Sequence, residues 1–160
     1  MKALLAYDGS ACSDHAVSEL PLLGLPADLE ATVLSVADIW LPAPGTTAEA
    51  MDLSLSPGLA ALRVKTRDLV DAAQAVANDG AVKVRQFRPA WRVTAQAVAE
   101  SPGWAVVRVA EELKVDWVIV GSHGRGALGR VLLGSVSQRV LASAPCSAKP
   151  RSTIRTWSSR

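Results

Sequence analysis

The sequence is poor in cysteine and contains no long hydrophobic run. Its two cysteines, Cys12 and Cys146, lie far apart and in no metal-ligand spacing. Because the start of the chain does not resemble an export signal, two reduced thiols in the cytoplasm are expected rather than a disulfide framework. No apolar run reaches the ~18 residues that a membrane helix needs. These absences predict a cytoplasmic protein that does not use a membrane as a partner.

Acidic residues are missing from the last part of the chain. Residues 1–116 carry ten basic and fifteen acidic side chains, a net charge of −5, whereas residues 117–160 carry seven basic side chains and no acidic one. A basic segment of this kind suits an anionic ligand. Because the basic residues lack interleaved aromatic ones, nucleic acid is not expected as a partner.

Strand and helix patterns alternate along the chain. Short apolar or alternating runs predict strands at Lys2–Tyr7, Thr32–Ala37, Val93–Ala99 and Trp117–Val120. Ser10, Ser101 and the stop at Pro145 help to delimit predicted helices. The order predicts a single α/β domain, a doubly wound parallel sheet sandwiched by helices.

The helix before the third strand allows two interpretations. A period of about 3.6 residues runs from Leu62 to Phe87 across Gly80, which predicts one long helix. The competing interpretation ends that helix at Asn78–Asp79–Gly80, where the residue types favour a turn.

Ligands of such sheets bind beyond the carboxyl ends of the strands. Small and polar residues follow two of these strands: Asp8–Gly9–Ser10 comes after the first, and Gly121–Ser122–His123–Gly124 after the fourth. The second begins a segment with five glycines between Gly121 and Gly134.

Two familiar glycine motifs fit this segment poorly. Residues 124–129 match G-x-G-x-x-G, but they follow the fourth strand, and no acidic residue lies downstream for a ribose. Residues 129–135 resemble a P-loop without its lysine, the residue that reaches the terminal phosphates.

A third spacing, G-x2-G-x9-G-[ST], places Gly121, Gly124, Gly134 and Ser135 in one motif. With AYDGS, VLSVAD and WVIVGSHGRGALGRVLLGSVSQRVLASAPCS, the sequence resembles the ATP-binding branch of the universal stress protein family over nearly its whole length. The resemblance implies an adenine nucleotide alpha-hydrolase-like fold over residues 1–148, followed by a basic polar tail at residues 149–160. It also implies bound ATP.

Elementary chemistry supports a phosphate site at this motif. Gly121 and Gly124 have no Cβ, so their backbone can approach a phosphate or a ribose closely. Gly134 leads into the predicted last helix, so the amides of Ser135 and Val136 lie at a helix N-terminus that favours an anion. The Ser135 hydroxyl can add a further hydrogen bond.

By resemblance, the contacts divide among the strand ends and the glycine loop. Asp8 matches the aspartate beside the nucleotide, Val36 matches the position whose backbone meets the adenine edge, and Mg²⁺ would be held mainly by phosphate oxygens and water. The full set comprises Ala6, Tyr7, Asp8, Val36, Val120, Gly121, His123, Gly124, Gly134, Ser135 and Val136.

Simpler roles exist for several of these residues. Asp8 can begin a turn or cap the first helix, and Ser135 can act as a helix cap alone. His123 lacks the partners of a catalytic histidine. Arg125 and Arg130 either screen phosphate or face water.

The end of the chain departs from the family pattern. The resemblance implies a fifth strand that commonly pairs across a homodimer interface, but this chain reads AKPRSTIRTWSSR, with Pro150 where hydrogen-bond donors are needed. A weak or missing fifth strand and a loose tail are expected, with Ile154–Trp157 as a weak substitute. Dimerisation by that route is therefore in doubt.

The function favoured by these observations is an ATP-dependent sensor or regulator with an unidentified regulatory partner protein. No nucleophile–histidine couple or paired carboxylates stand near the loop, so at most slow ATP hydrolysis or self-phosphorylation is expected. The alternatives are a nucleotidyl-transfer or ATP-hydrolysing enzyme of related architecture, and a scaffold of the same family that binds no nucleotide.

Overall fold

The computed structural model describes residues 1–38, 57–121, 134–143, 149–151 and 154–157. The strands are β1 (Lys2–Ala6), β2 (Glu30–Ala37), β3 (Arg92–Ala99), β4 (Trp117–Gly121), β5 (Lys149–Arg151) and β6 (Ile154–Trp157). The helices are α1 (Ala11–Ser18), α2 (Pro57–Phe87), α3 (Pro102–Leu113) and α4 (Ser135–Ser143), with a 3-10 turn at Leu20–Leu23. The predicted alternation of strands and helices is confirmed.

The strands form one sheet in the order β3-β2-β1-β4-β6-β5. The first four strands are parallel, and Ala6 at the end of β1 is level with Leu34 of β2 and Val120 of β4. From β1 the chain winds outward through β2 to β3 and then returns to place β4 on the other side of β1. This reversal makes the crevice between β1 and β4 the switch point at which open α/β sheets bind ligands.

Each face of the sheet is covered by its own pair of helices. Alternate residues of a strand point to opposite faces, so Leu5 and Tyr7 pack with α1 and α2, whereas Leu4 packs with α3 and α4. Both faces bury aliphatic side chains, Val17 and Val84 on one and Val109 and Val140 on the other. The predicted doubly wound α/β architecture is confirmed.

Helix α2 runs through Gly80 without a break, so the interpretation that ended it there was wrong. Most of the buried residues described for this helix are small, among them Ala73, Ala77 and Ala81. A Cβ built on Gly80 would lie 2.6 Å from Cδ1 of Tyr7, which only glycine avoids. Neither α2 nor any other helix in the described ranges is long and apolar enough to cross a membrane.

The tail differs from the expected loose segment. Strand β6 pairs antiparallel with β4, joining Gly121 to Ile154 and Val118 to Trp157, and β5 pairs antiparallel with β6. A free edge of β4 would leave a row of backbone donors and acceptors unpaired, and β-branched and aromatic residues suit a strand there. Pro150 lies in the outermost strand, where the missing N–H is tolerated. The expected substitute at Ile154–Trp157 is therefore present, with antiparallel pairing.

Candidate functional site

The carboxyl ends of β1, β2 and β4 bring several predicted site residues together. Ala6 and Val120 are neighbours across the β1–β4 pair, and both are at least half-buried. The backbone N–H of Tyr7 donates to the carbonyl oxygen of Leu34 at 2.9 Å, so the β1–β2 ladder continues past the end of β1. Val36 lies two residues farther along β2 and is half-buried. The predicted positions therefore share one edge of the sheet.

Asp8 forms the turn between β1 and α1. A carboxylate oxygen of Asp8 accepts a hydrogen bond from the backbone N–H of Ser10 at 3.0 Å, and Gly9 has a φ of 74°. Ser10 then caps α1, because its hydroxyl oxygen accepts from the N–H of Ser13 at 3.2 Å. The turn role weighed for Asp8 is thus present, and it holds the half-buried carboxylate at the edge of the sheet beside Ala6.

The side chain of Tyr7 points away from this edge and lies under α2. It is 2% exposed, and its hydroxyl donates to a carboxylate oxygen of Asp14. The ammonium of Lys83 donates to the Tyr7 oxygen at 2.8 Å and to Asp14 at 2.8 Å, and it pairs with Asp79 at 2.9 Å. We call Tyr7, Asp14, Asp79 and Lys83 the tyrosine cluster. It ties β1, α1 and α2 together directly behind the Asp8 turn.

The charges of the tyrosine cluster are set by its own contacts. Burial, followed by the hydrogen bond to Asp14, raises the pKa of Tyr7 to about 12. Hydrogen bonds from Lys83 and Tyr7 hold the pKa of the Asp14 carboxyl below its ordinary value. Contacts with Asp14, Tyr7 and Asp79 raise the pKa of Lys83. At neutral pH the cluster therefore contains a neutral phenol between an ammonium and a carboxylate.

Helix α4 begins at the same edge of the sheet. The carbonyl oxygen of Gly134 accepts from the N–H of Gln138 at 2.9 Å, which makes Gly134 the N-cap residue immediately before α4. The N–H groups of Ser135 and Val136 lie in the first turn, where they have no partner within the helix. Ser135 is exposed and Val136 half-buried. This end of α4 offers backbone donors and the positive end of a helix dipole.

Ser137 connects α4 to β4, a contact that the sequence analysis missed. Its hydroxyl donates to the carbonyl oxygen of Gly121 at 2.7 Å, and the residue is 2% exposed. Gly121 is the last residue of β4 and the first glycine of the motif, and Gly134 is the third. The available signal was a second serine two positions after Ser135.

Helix α3 supports α4 on its other side. A Cβ on Gly103 would lie 3.0 Å from Cβ of Arg139 and 3.9 Å from the carbonyl oxygen of Ser135, so the first turn of α3 approaches α4 closely at a glycine. The guanidinium of Arg139 lies over the ring of Trp104, with 4.5 Å between its central carbon and the ring centroid. The amino ends of α3 and α4 therefore meet at the carboxyl edge of the sheet.

Other predicted site residues lie outside the described residues. These are His123 and Gly124, together with Arg125 and Arg130. Within the described ranges, no group of three or more His, Cys, Asp and Glu side chains could hold a metal ion. The expected Mg²⁺, held mainly by phosphate oxygens and water, stays a prediction.

Comparisons with known proteins cover almost the whole chain. Residues 1–148 match the sequence model of the universal stress protein family. The chain is 31% identical over 143 residues to the "Universal stress protein in QAH/OAS sulfhydrylase 3'region" of Thermus aquaticus, covering 89% of this chain and 92% of that protein. It is 26% identical over 151 residues to universal stress protein MJ0531 of Methanocaldococcus jannaschii, covering 91% and 78% of the two chains.

The fold is also similar to that of a solved structure. Universal stress protein UspA from Lactobacillus plantarum superposes with a TM-score of 0.62 at 21% sequence identity, covering 91% of this chain and 93% of that one. At this identity the likeness concerns the fold alone.

Proposed function

The chain belongs to the universal stress protein family, and we propose that it is an ATP-binding member that acts as a sensor or regulator. In this proposal the nucleotide lies over the carboxyl ends of β1, β2 and β4. Its phosphates are held by the amino end of α4 at Gly134, Ser135 and Val136. The occupied and empty states would then differ in their affinity for a regulatory protein.

The observation that carries the proposal is the position of α4. Its first turn is held at the end of β4 by the Ser137–Gly121 hydrogen bond of 2.7 Å, next to the switch point between β1 and β4. Free backbone donors at a helix N-terminus favour a phosphate without requiring a P-loop lysine. Gly121 and Gly134, at the two ends of the motif, are both half-buried rather than enclosed.

The remaining predicted contacts fit an adenosine at the neighbouring strand ends. Ala6 and Val120 lie side by side with small or aliphatic side chains, and Val36 lies on β2 at the same edge. Asp8 is held in its turn by the N–H of Ser10 and can accept from a hydroxyl or amino group. Mg²⁺ would arrive with the phosphates and keep mainly phosphate and water ligands.

A regulatory role is proposed in preference to rapid turnover. Among the described residues, the tyrosine cluster follows the end of β1 next to the Asp8 turn, and its phenol is buried and already hydrogen-bonded to Asp14 and Lys83. Groups engaged in this way are poorly placed as a general base. We propose a cytoplasmic location, and we expect no dimer built on β5, since a three-residue edge strand containing Pro150 offers few donors.

Calorimetric titration with ATP and Mg²⁺ tests the proposal, with Gly134→Val as the disrupting variant. We expect saturable binding by the wild type and none by the variant, because a branched side chain blocks close approach of the backbone to phosphate. Ala142→Val is the matched control, since Ala142 is exposed near the other end of α4 and should leave binding unchanged. Circular dichroism checks that each variant is folded. A wild-type chain without binding heat contradicts the proposal and favours the scaffold alternative.

A further inference from the structure

The hydrogen bond between Ser137 and Gly121 joins the two ends of the glycine motif. The residues lie sixteen positions apart, one inside α4 and the other at the end of β4. The β1–β4 pairing ends at Ala6 and Val120, so the Gly121 carbonyl lies beyond the last residue that β1 matches. On its other side Gly121 is matched with Ile154 of β6, and its carbonyl oxygen accepts the hydrogen bond from Ser137 at the end of β4.

This bond is well suited to hold a short helix in place. Helix α4 has nine residues, a length at which an isolated helix is marginal in water. Val140 buries it against the core, and Gly103 of α3 allows close approach near Arg139. Of the contacts described for α4, the Ser137 hydrogen bond is the one that reaches the end of β4 from within its first turn.

We propose that Ser137 is a positioning residue for phosphate binding, an inference that rests on the proposed function. Ser137 acts through Gly121 and fixes the amino end of α4 relative to the end of β4. The N–H groups of Ser135 and Val136 then point toward the phosphates before the nucleotide arrives. Affinity is gained because the donors do not have to be ordered on binding.

The inference predicts that Ser137→Ala weakens binding of ATP but not of adenosine. Without this buried hydrogen bond the helix end must be ordered on binding, which raises the Kd for ATP by up to about tenfold. Adenosine has no phosphate for α4 to hold, so its Kd should change by less than about twofold. A purely structural defect would instead weaken both ligands together.

The measurement is calorimetric titration of both ligands into the full chain, with thermal unfolding recorded for each variant. Ser18→Ala is the matched control, because the Ser18 hydroxyl also donates to a backbone carbonyl, that of His15 at 2.8 Å, but at the far end of α1. Ser137→Thr keeps the hydroxyl and should restore ATP binding to within about threefold of the wild type.

The possible results separate this inference from the proposed function. Wild-type binding of ATP with an unchanged Kd in Ser137→Ala overturns the role of Ser137 alone. Equal loss of ATP and adenosine affinity, or a folded Ser137→Thr that binds as weakly as the alanine variant, also overturns it. Absence of ATP binding by the wild type contradicts the proposed function itself.

Discussion

The two sides of the carboxyl edge are held together by different kinds of contact. Behind β1, the tyrosine cluster joins α1 and α2 through a buried ring, a charged hydrogen bond and the ion pairs of Lys83. Beside β4, α4 is held by the Ser137 hydroxyl and by the stacking of Arg139 on the exposed ring of Trp104. The first side, behind β1, is built around a buried aromatic ring, whereas the second side, beside β4, depends on one hydrogen bond and an exposed ring. The stability of the first side should therefore depend more strongly on side-chain packing than that of the second.

The largest expected difference in stability comes from removing one aromatic ring from each side. Tyr7→Ala should lower the free energy of unfolding by about 3–5 kcal/mol, the usual cost of deleting a buried aromatic side chain. Trp104→Ala should cost less than about 1 kcal/mol, because the ring is 53% exposed and a surface cation–π contact contributes little. Urea denaturation measures both, and equal losses would contradict the difference between the two sides.

A test with a smaller expected effect adds one methyl group to α2 where it meets Tyr7 and one to α3 where it meets α4. Gly80→Ala should destabilise the fold by about 1–2 kcal/mol, because the new Cβ meets the rigid Tyr7 ring at 2.6 Å and the cost exceeds the gain in helix propensity. Gly103→Ala should change stability by less than about 0.5 kcal/mol, since the 3.0 Å contact with the Arg139 side chain is a smaller overlap and the gain in helix propensity offsets it.

The midpoints of urea denaturation measure the stability changes in Gly80→Ala and Gly103→Ala. Gln86→Ala, at an exposed position on α2, is the control for substitution in that helix. A Gly80→Ala variant as stable as the wild type would contradict a close fit between the Tyr7 ring and α2.

The smallest effect concerns proton binding by the tyrosine cluster. Tyr7 is the sole tyrosine of the chain, so phenolate absorbance reports on it alone. We expect titration at a pKa of about 12, against ~10 in the unfolded chain. Because the folded pKa is raised, the associated stability is fully present below pH ~10 and is lost as the pH rises through the folded value.

Substitution of Asp14 sharpens this prediction. Asp14→Asn removes the charge that helps to raise the pKa of Tyr7, so titration should move toward lower pH while burial keeps part of the shift. Glu111→Gln, an exposed carboxylate on α3, should leave it unchanged. Circular dichroism at each pH confirms the folded state, and phenolate appearing near pH 10 in a folded chain would contradict the shielding of the ring.

Much of the candidate site followed from the sequence because strand ends and glycine spacing are local features. The Asp8 turn, the end of β4 and the start of α4 were each visible in a few consecutive residues. The sequence did not indicate which way the Tyr7 side chain points, because its neighbours Asp14, Asp79 and Lys83 lie on two other elements. The tail was misjudged because its pairing depends on an open edge beside β4, which is known only once the strand order is known.

The sequence by itself determined the order of strands and helices, the turn at Asp8 and the glycines of the motif, because hydrophobic period and turn chemistry act over short distances. Only the tertiary structure decided that Ser137 reaches Gly121, that Gly80 accommodates Tyr7 and that β6 pairs antiparallel with β4. Each of these contacts joins segments brought together by the winding of the chain about β1. Packing between distant elements therefore decides which of the locally possible contacts form.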